Sequence, residues 1–340
     1  MRIGKVLTGK RMSTFVSASV VSLFIISGRM LWVSREYVSG QWRGPVWSTL
    51  IAAVIAGVIF PVVALAAQTV FEKRVETNFS ARLIRVLFSA LAVTAAIYVA
   101  IMSLEDIVLF VDEVMLLESG GVTVAAVILI LCAYMSLSGA SAIKKYGAVS
   151  LVFGAASAIG LLLLSAVRGE IIIKNLGEIF VKDGFFEMMS PSGILKAFFS
   201  VFAMASVALV WLSSSDKSKA NNGKRVGEAL VGLACGVLVL LVCFLNTALL
   251  LGLPFASVQT YPYASAVGSM TAGKLFMRPE GFLYLSYLSA AIVRVSVCVS
   301  TVCLLFEGIS PSAESRRSRA ALSFGAAAVI FVAYVLLFCF

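Results

Sequence analysis

Long apolar blocks alternate with short polar connections along this whole chain. A helix that crosses a bilayer needs about 20 mostly apolar residues. Blocks of that kind occupy 13–33, 46–70, 84–104, 121–140, 147–168, 191–212, 228–253, 280–306 and 320–340. The pattern predicts nine transmembrane helices in a single domain spanning 1–340. The longest polar stretches are the connections 168–190 and 254–278, too short for a soluble domain. The first alternates apolar and charged residues, as a short interfacial helix would. The 213–223 stretch reads as a flexible connector.

Composition agrees with that pattern. Of the 340 residues, 61% are hydrophobic and only 13% charged, against about 25% charged in an ordinary soluble domain. A mean hydropathy of +1.03 says the same. Water could not be the solvent for so much apolar surface, so the lipid bilayer is the first partner expected.

Charge then orients the helices. The net charge is +10, but the basic residues lie in small clusters between apolar blocks. They form no continuous face for nucleic acid, so no nucleic-acid partner is expected. Lys and Arg fall in the tail (Arg2, Lys5, Lys10, Arg11) and in every second connection: Lys73, Arg74, Arg82 and Arg85; Lys144 and Lys145; Lys217, Lys219, Lys224 and Arg225; Arg316, Arg317 and Arg319. Seventeen of the 27 basic residues therefore lie on one side. The connection around 105–118 has five carboxylates and no Lys or Arg. The positive-inside rule puts the N-terminus in the cytoplasm and, after nine crossings, the C-terminus outside. The basic tail ahead of an apolar run resembles a signal peptide, but no small-residue cleavage site follows; a cytoplasmic tail and first span is the expectation.

Candidate chemistry is sparse. The chain has no histidine, which excludes Ser-His-Asp triads, HExxH sites and His-ligated metals. The six cysteines, Cys132, Cys235, Cys243, Cys298, Cys303 and Cys339, sit in apolar blocks without metal-ligand spacing. No metal site, cofactor or disulfide framework follows. The Gly268-to-Lys274 run resembles a Walker A motif, but Leu275 stands where Ser or Thr is required. Gly232 and Gly236 form a GxxxG, which points to close helix packing. The informative residues are polar groups inside the spans. Arg294 sits in the middle of the eighth block, where an Arg costs about 2.5–3.5 kcal/mol on insertion scales. It is either one half of a static interhelical ion pair or a functional charge facing a ligand or a wet cavity. Gly28 permits a helix break, and the neighbouring Arg29 either snorkels or faces the same break. Ser206, Ser213–Ser215, Asn246 and Thr247 are weaker candidates, because hydroxyls in membrane helices usually bond their own helix. The carboxylates of 105–118 read as a solvated outer face.

Three stretches resemble the spore germination permeases, the B-subunits of germinant receptors, a branch of the amino acid–polyamine–organocation superfamily. Ser13-Thr14-Phe15 through Ser27-Gly28 to Pro45-Val46-Trp47-Ser48 is similar to that family's first span, glycine break and loop tryptophan. Tyr261-Pro262, followed by Gly273, Phe276, Arg278 and Glu280, resembles its motif before the eighth span. Asn175-Leu176 to Gly184 is similar to its loop before the sixth. Arg294 falls where many members carry a basic residue. The resemblance implies an all-α LeuT-type fold of two inverted five-helix repeats, here about 13–168 and 191–340. The second repeat is incomplete, since nine spans are visible where ten are usual. Ligand would lie where the first and sixth helices unwind, at Ser27, Gly28 and Arg29 and at Ala205 and Ser206. Two departures stand out. Val33 replaces the family's proline, and 202–206 reads as uninterrupted helix with no glycine to break it.

The function so implied is a membrane-embedded nutrient receptor subunit, not an enzyme. It would bind a small amino-acid-like molecule at mid-membrane and trigger germination through other receptor subunits, in the inner membrane of a spore or the cell membrane. A secondary transporter of amino acids or organic cations is the first alternative. The absence of a mid-span carboxylate to carry a proton counts slightly against it. A non-binding structural membrane subunit is the second.

Overall fold

The computed structural model describes residues 2–28, 30, 44–72, 79–115, 120–167, 172–173, 175, 194–195, 197–215, 222–252, 255–256, 259, 261–270, 279–309 and 316–338. Among these, helix is the dominant structure and no strand occurs. In chain order the helices are α1 (Arg2–Ser27), α2 (Gly44–Glu72), α3 (Phe79–Phe110), α4 (Gly121–Leu137), α5 (Ala140–Val167), α6 (Met204–Ser215), α7 (Asn222–Leu251), α8 (Pro262–Gly268), α9 (Glu280–Ile309) and α10 (Arg316–Phe338). Within the described residues each of the nine apolar blocks carries a helix, and α8 is a short addition in the 254–278 connection. Among the described residues six helices are long and apolar enough to cross a bilayer: α2, α3, α5, α7, α9 and α10. The described apolar stretches of α1, α4 and α6 are shorter. The chain is an all-helical membrane protein of this kind.

Two π-helical segments interrupt the regular ladders. Val111–Met115 continues α3, and Phe198–Ala203 runs directly into α6. The second corrects the expectation of uninterrupted helix through 202–206. No glycine is needed, because a π segment widens the turn while keeping its backbone hydrogen-bonded. The connection expected around 105–118 is also shorter, since α3 and its π extension carry Glu105, Asp106, Asp112 and Glu113 in helix. Lys144 and Lys145, expected in a loop, lie in the second turn of α5. A two-residue joint allows this: Gly139 takes φ +87° and turns α4 directly into α5, a left-handed conformation that glycine adopts without a Cβ penalty.

Helix directions follow from their contacts. A Cβ on Gly232 would stand 2.7 Å from the Ala18 carbonyl oxygen, and one on Gly236 3.0 Å from Ile25 Cβ. The GxxxG of α7 thus lies flat against α1, and the two helices run parallel. The Ser22 hydroxyl donates to the Gly232 carbonyl across the joint at 2.9 Å. Cys132 and Met135 of α4 meet Ile292 and Ser296 of α9, again in parallel. The end of α3 meets the start of α9 through Phe110, Tyr284 and Tyr287, antiparallel.

α9 is the most enclosed of the long helices. It packs against α1, α3, α4, α5, α6, α8 and α10. Its buried face carries Ser286, Arg294, Ser296, Ser300 and Thr301, while α1 buries Ser17, Ser19, Ser22 and Ser27. The outer helices expose apolar side chains instead: Val54, Val58 and Val62 on α2, Val149 and Val152 on α5, Val329 and Val332 on α10. Polar residues inside and apolar ones outside is the distribution that a hydrocarbon solvent selects.

Candidate functional site

Arg294 is the fifteenth residue of the 30-residue α9, about 21 Å from its start at 1.5 Å per residue. It is 2% exposed. One terminal NH2 group donates to the Met204 sulfur of α6 at 2.7 Å. Its guanidinium carbon stands 6.0 Å from the centre of the Phe24 ring on α1. Its Nε–H has no hydrogen-bond partner. Among the described residues no carboxylate forms an ion pair with it. A thioether and an aromatic face are weak company for a buried cation.

Both neighbours sit beside helix discontinuities. Phe24 is in the last turn of α1, which stops at Ser27 and passes into a turn at Gly28. Ser27 and Met30 are buried, and the Met30 N–H donates to the Ile26 carbonyl at 2.8 Å, so the end of α1 lies inside the bundle. Met204 is the first α-helical residue after the π segment of α6. α1, α6 and α9 thus meet at Arg294 where two of the three helices depart from regular geometry. No protein-family model and no curated protein matches the chain.

Two turns before Arg294, on the same face of α9, an aromatic cluster closes the bundle. Phe110 of α3 stands edge-on to Tyr261, Tyr284 and Tyr287 at centroid distances of 5.9, 5.3 and 4.9 Å. The Tyr287 hydroxyl is fully buried without a hydrogen-bond partner. It lies within electrostatic reach of both Asp106 and Arg294. Towards the other end of α9 the Trp211 ring nitrogen donates to the Ser300 hydroxyl at 2.9 Å, and Lys144 sits 5.7 Å over the same indole. Packed side chains therefore flank Arg294 in both directions along α9.

The residues predicted from sequence fall unevenly around this centre. Ser27 is buried and Gly28 half-buried, one turn beyond Phe24. Ala205 is fully buried and Ser206 half-buried, adjacent to Met204. Their hydroxyls bond their own helices, Ser27 to the Phe24 carbonyl at 3.5 Å and Ser206 to the Ala203 carbonyl at 2.5 Å. They contribute local shape more than free donors. Ser213, Ser214, Ser215 and Thr247 back-bond in the same way. Tyr261 is buried against Phe110, Pro262 is the first residue of α8, and Glu280 opens α9 half-buried. Arg29, Gly273, Phe276 and Arg278 lie outside the described residues, as do the 176–184 loop and Cys339.

Sequence reasoning missed Phe24, Met204, Phe110 and Tyr287. Tyr287 was legible, since seven residues is two helical turns and puts it on the face of Arg294. The others needed the packing. Asn246 was a weak candidate, but both its amide atoms are buried without hydrogen-bond partners. It lies against the Tyr263 hydroxyl of α8, with the Cys243 thiol beside it. Arg225 and Glu228 were also missed. Expected at a loop and a span boundary, they form a buried pair on α7 at 2.9 Å, with Lys224 3.7 Å from the same carboxylate.

Proposed function

We propose that this chain is a permease-type membrane protein that binds a small nutrient molecule at the junction of α1, α6 and α9. On this reading it acts as the receptor subunit of a germinant-sensing complex. The observation that carries the reading is the meeting of two helix discontinuities, the end of α1 at Ser27-Gly28 and the π segment ahead of Met204, around one buried charge. Helix discontinuities near mid-membrane are where bundles of this kind place their solute sites.

The packing of the helices supports a repeat fold. Number the nine apolar helices in order and let each of the first four correspond to the helix five places later. The pairs α1·α7 and α3·α10 then exchange with α6·α2 and α9·α4, and α1·α9 with α6·α3. The pair α3·α4 exchanges with α9·α10, while α1·α6, α2·α7, α3·α9 and α4·α10 map onto themselves. The exceptions are α6·α9 and α2·α3. This correspondence is what two inverted repeats, relating the first four apolar helices to the sixth through ninth, would produce.

Such a bundle signals only if ligand binds its conformations with different affinity. A transporter and a receptor share that requirement, and the same experiment separates them. Purified protein in liposomes is tested for uptake of labelled amino acids beside equilibrium binding in nanodiscs. Saturable binding without flux is the expected result. Flux selects the transporter, and absence of binding across the panel leaves a structural subunit. The orientation implied by the basic connections is checked separately by reporters fused at the N-terminus.

A further inference from the structure

We infer that Arg294 is the anchor for a single carboxylate on the bound molecule; the inference rests on the small-molecule reading above and names the chemistry its ligand must carry. A guanidinium presents five N–H donors in a planar fork and stays charged in proteins. Arg294 is 2% exposed, yet its Nε–H is unbonded and one terminal nitrogen has only a thioether as acceptor. Sulfur is a weak acceptor, and methionine is flexible enough to give way. Displacing Met204 would free an N–H beside the empty Nε–H, and a carboxylate can accept both in parallel.

The stoichiometry follows from charge. One uncompensated cation is satisfied by one negative charge, and among the described residues no second cation is paired to this place. A doubly charged phosphate would trade a buried excess of one sign for the other. A spherical halide accepts but does not match the fork. An organic cation, one of the solute classes considered from sequence, would be repelled. The Phe24 ring beside the guanidinium offers apolar contact to the remainder of a small organic molecule.

The test compares acids with matched amides. Wild-type protein in neutral-lipid nanodiscs is titrated with a panel of amino acids, acetate and propionate and with the matched carboxamide of each, at constant sodium chloride, with a chloride titration alongside. Melting temperature and equilibrium binding are read together. At least one acid of the panel binds, and its carboxamide binds about 10- to 100-fold more weakly, the range for hydrogen bonds to a charged group. Arg294→Lys keeps weakened binding, and Arg294→Gln loses it while remaining monodisperse. The acid–amide comparison on unaltered protein decides the matter even if the variants fail to fold. Carboxamides binding within about threefold of the acids, or chloride giving the same shift, overturns the carboxylate anchor and leaves the binding reading standing. A panel in which nothing binds overturns both.

Discussion

Replacing Arg294 by methionine should make the ligand-free protein more stable, although Arg294 is among its most buried side chains. An arginine at mid-span costs about 2.5–3.5 kcal/mol on insertion scales. What the site returns is small. The Phe24 ring at 6.0 Å sits at the outer limit of a cation–π contact, worth about 0.5 kcal/mol there. The single contact to the weakly accepting Met204 sulfur adds at most about 1 kcal/mol. About 1–2 kcal/mol remains set against the charge. Methionine fills the space of the aliphatic stem without that penalty and packs well against Met204. Unfolding entropy of about 2.1 cal/mol/K per residue gives about 0.7 kcal/mol/K for a chain of this length. Arg294→Met should then melt about 1.5–3 °C above wild type in the same detergent. With saturating carboxylate ligand the order should invert, because only wild type gains binding energy. A ligand-free variant melting several degrees below wild type would refute the reasoning, since the guanidinium would then have an internal partner that holds the bundle together.

Three further outcomes follow from the packing. Gly232→Ala should destabilise by about 1–3 kcal/mol in thermal melts, the cost of overpacking, because its Cβ would meet Val21 at 2.6 Å and the Ala18 carbonyl oxygen at 2.7 Å; Gly325→Ala in α10, where a Cβ meets nothing within 4 Å, should be neutral or gain up to about 1 kcal/mol. Glu228→Gln removes the carboxylate facing a 3% exposed Arg225 and should cost about 3–5 kcal/mol; the double change Arg225→Met with Glu228→Leu should recover much of that loss, and a double variant no better than the single would count against a buried pair. Phe110→Ala deletes the ring against which Tyr261, Tyr284 and Tyr287 pack. Stopped-flow binding should then show faster association and dissociation of ligand; unchanged rates would mean that this cluster does not control access.

Much of the fold was legible because the bilayer imposes one rule on long stretches of chain. Nine apolar blocks became nine helices, and Gly232 with Gly236 became a close helix contact, since a missing Cβ has one dominant use between packed membrane helices. Connections were read less well. Glu105, Asp106, Asp112 and Glu113, Lys144 and Lys145, and Arg225 were expected in connections and lie within helices. A charge near a helix end says little about where its backbone stops when a neighbouring helix or a longer stem can shelter it.

The site divides along the same line. Arg294 stood out because one charge amid apolar neighbours is a local signal. Its surroundings did not, because phenylalanine and methionine in a membrane helix look like lipid-facing residues until the partner helix is placed. The break in α6 was sought as a glycine and came as a π segment, which leaves no compositional mark: Phe198–Ala203 is ordinary apolar sequence. What makes the place chemically unusual is that, among the described residues, no carboxylate forms an ion pair with the arginine. An absent partner is a property of assembled helices, since carboxylates such as Asp106 occur in the chain and only packing decides whether one reaches the guanidinium. Asp106 comes near Tyr287 instead, two turns along α9, so the acid and the base share a face of the bundle without neutralising each other. A bundle that separates them in this way leaves its arginine available to an anion from outside the chain.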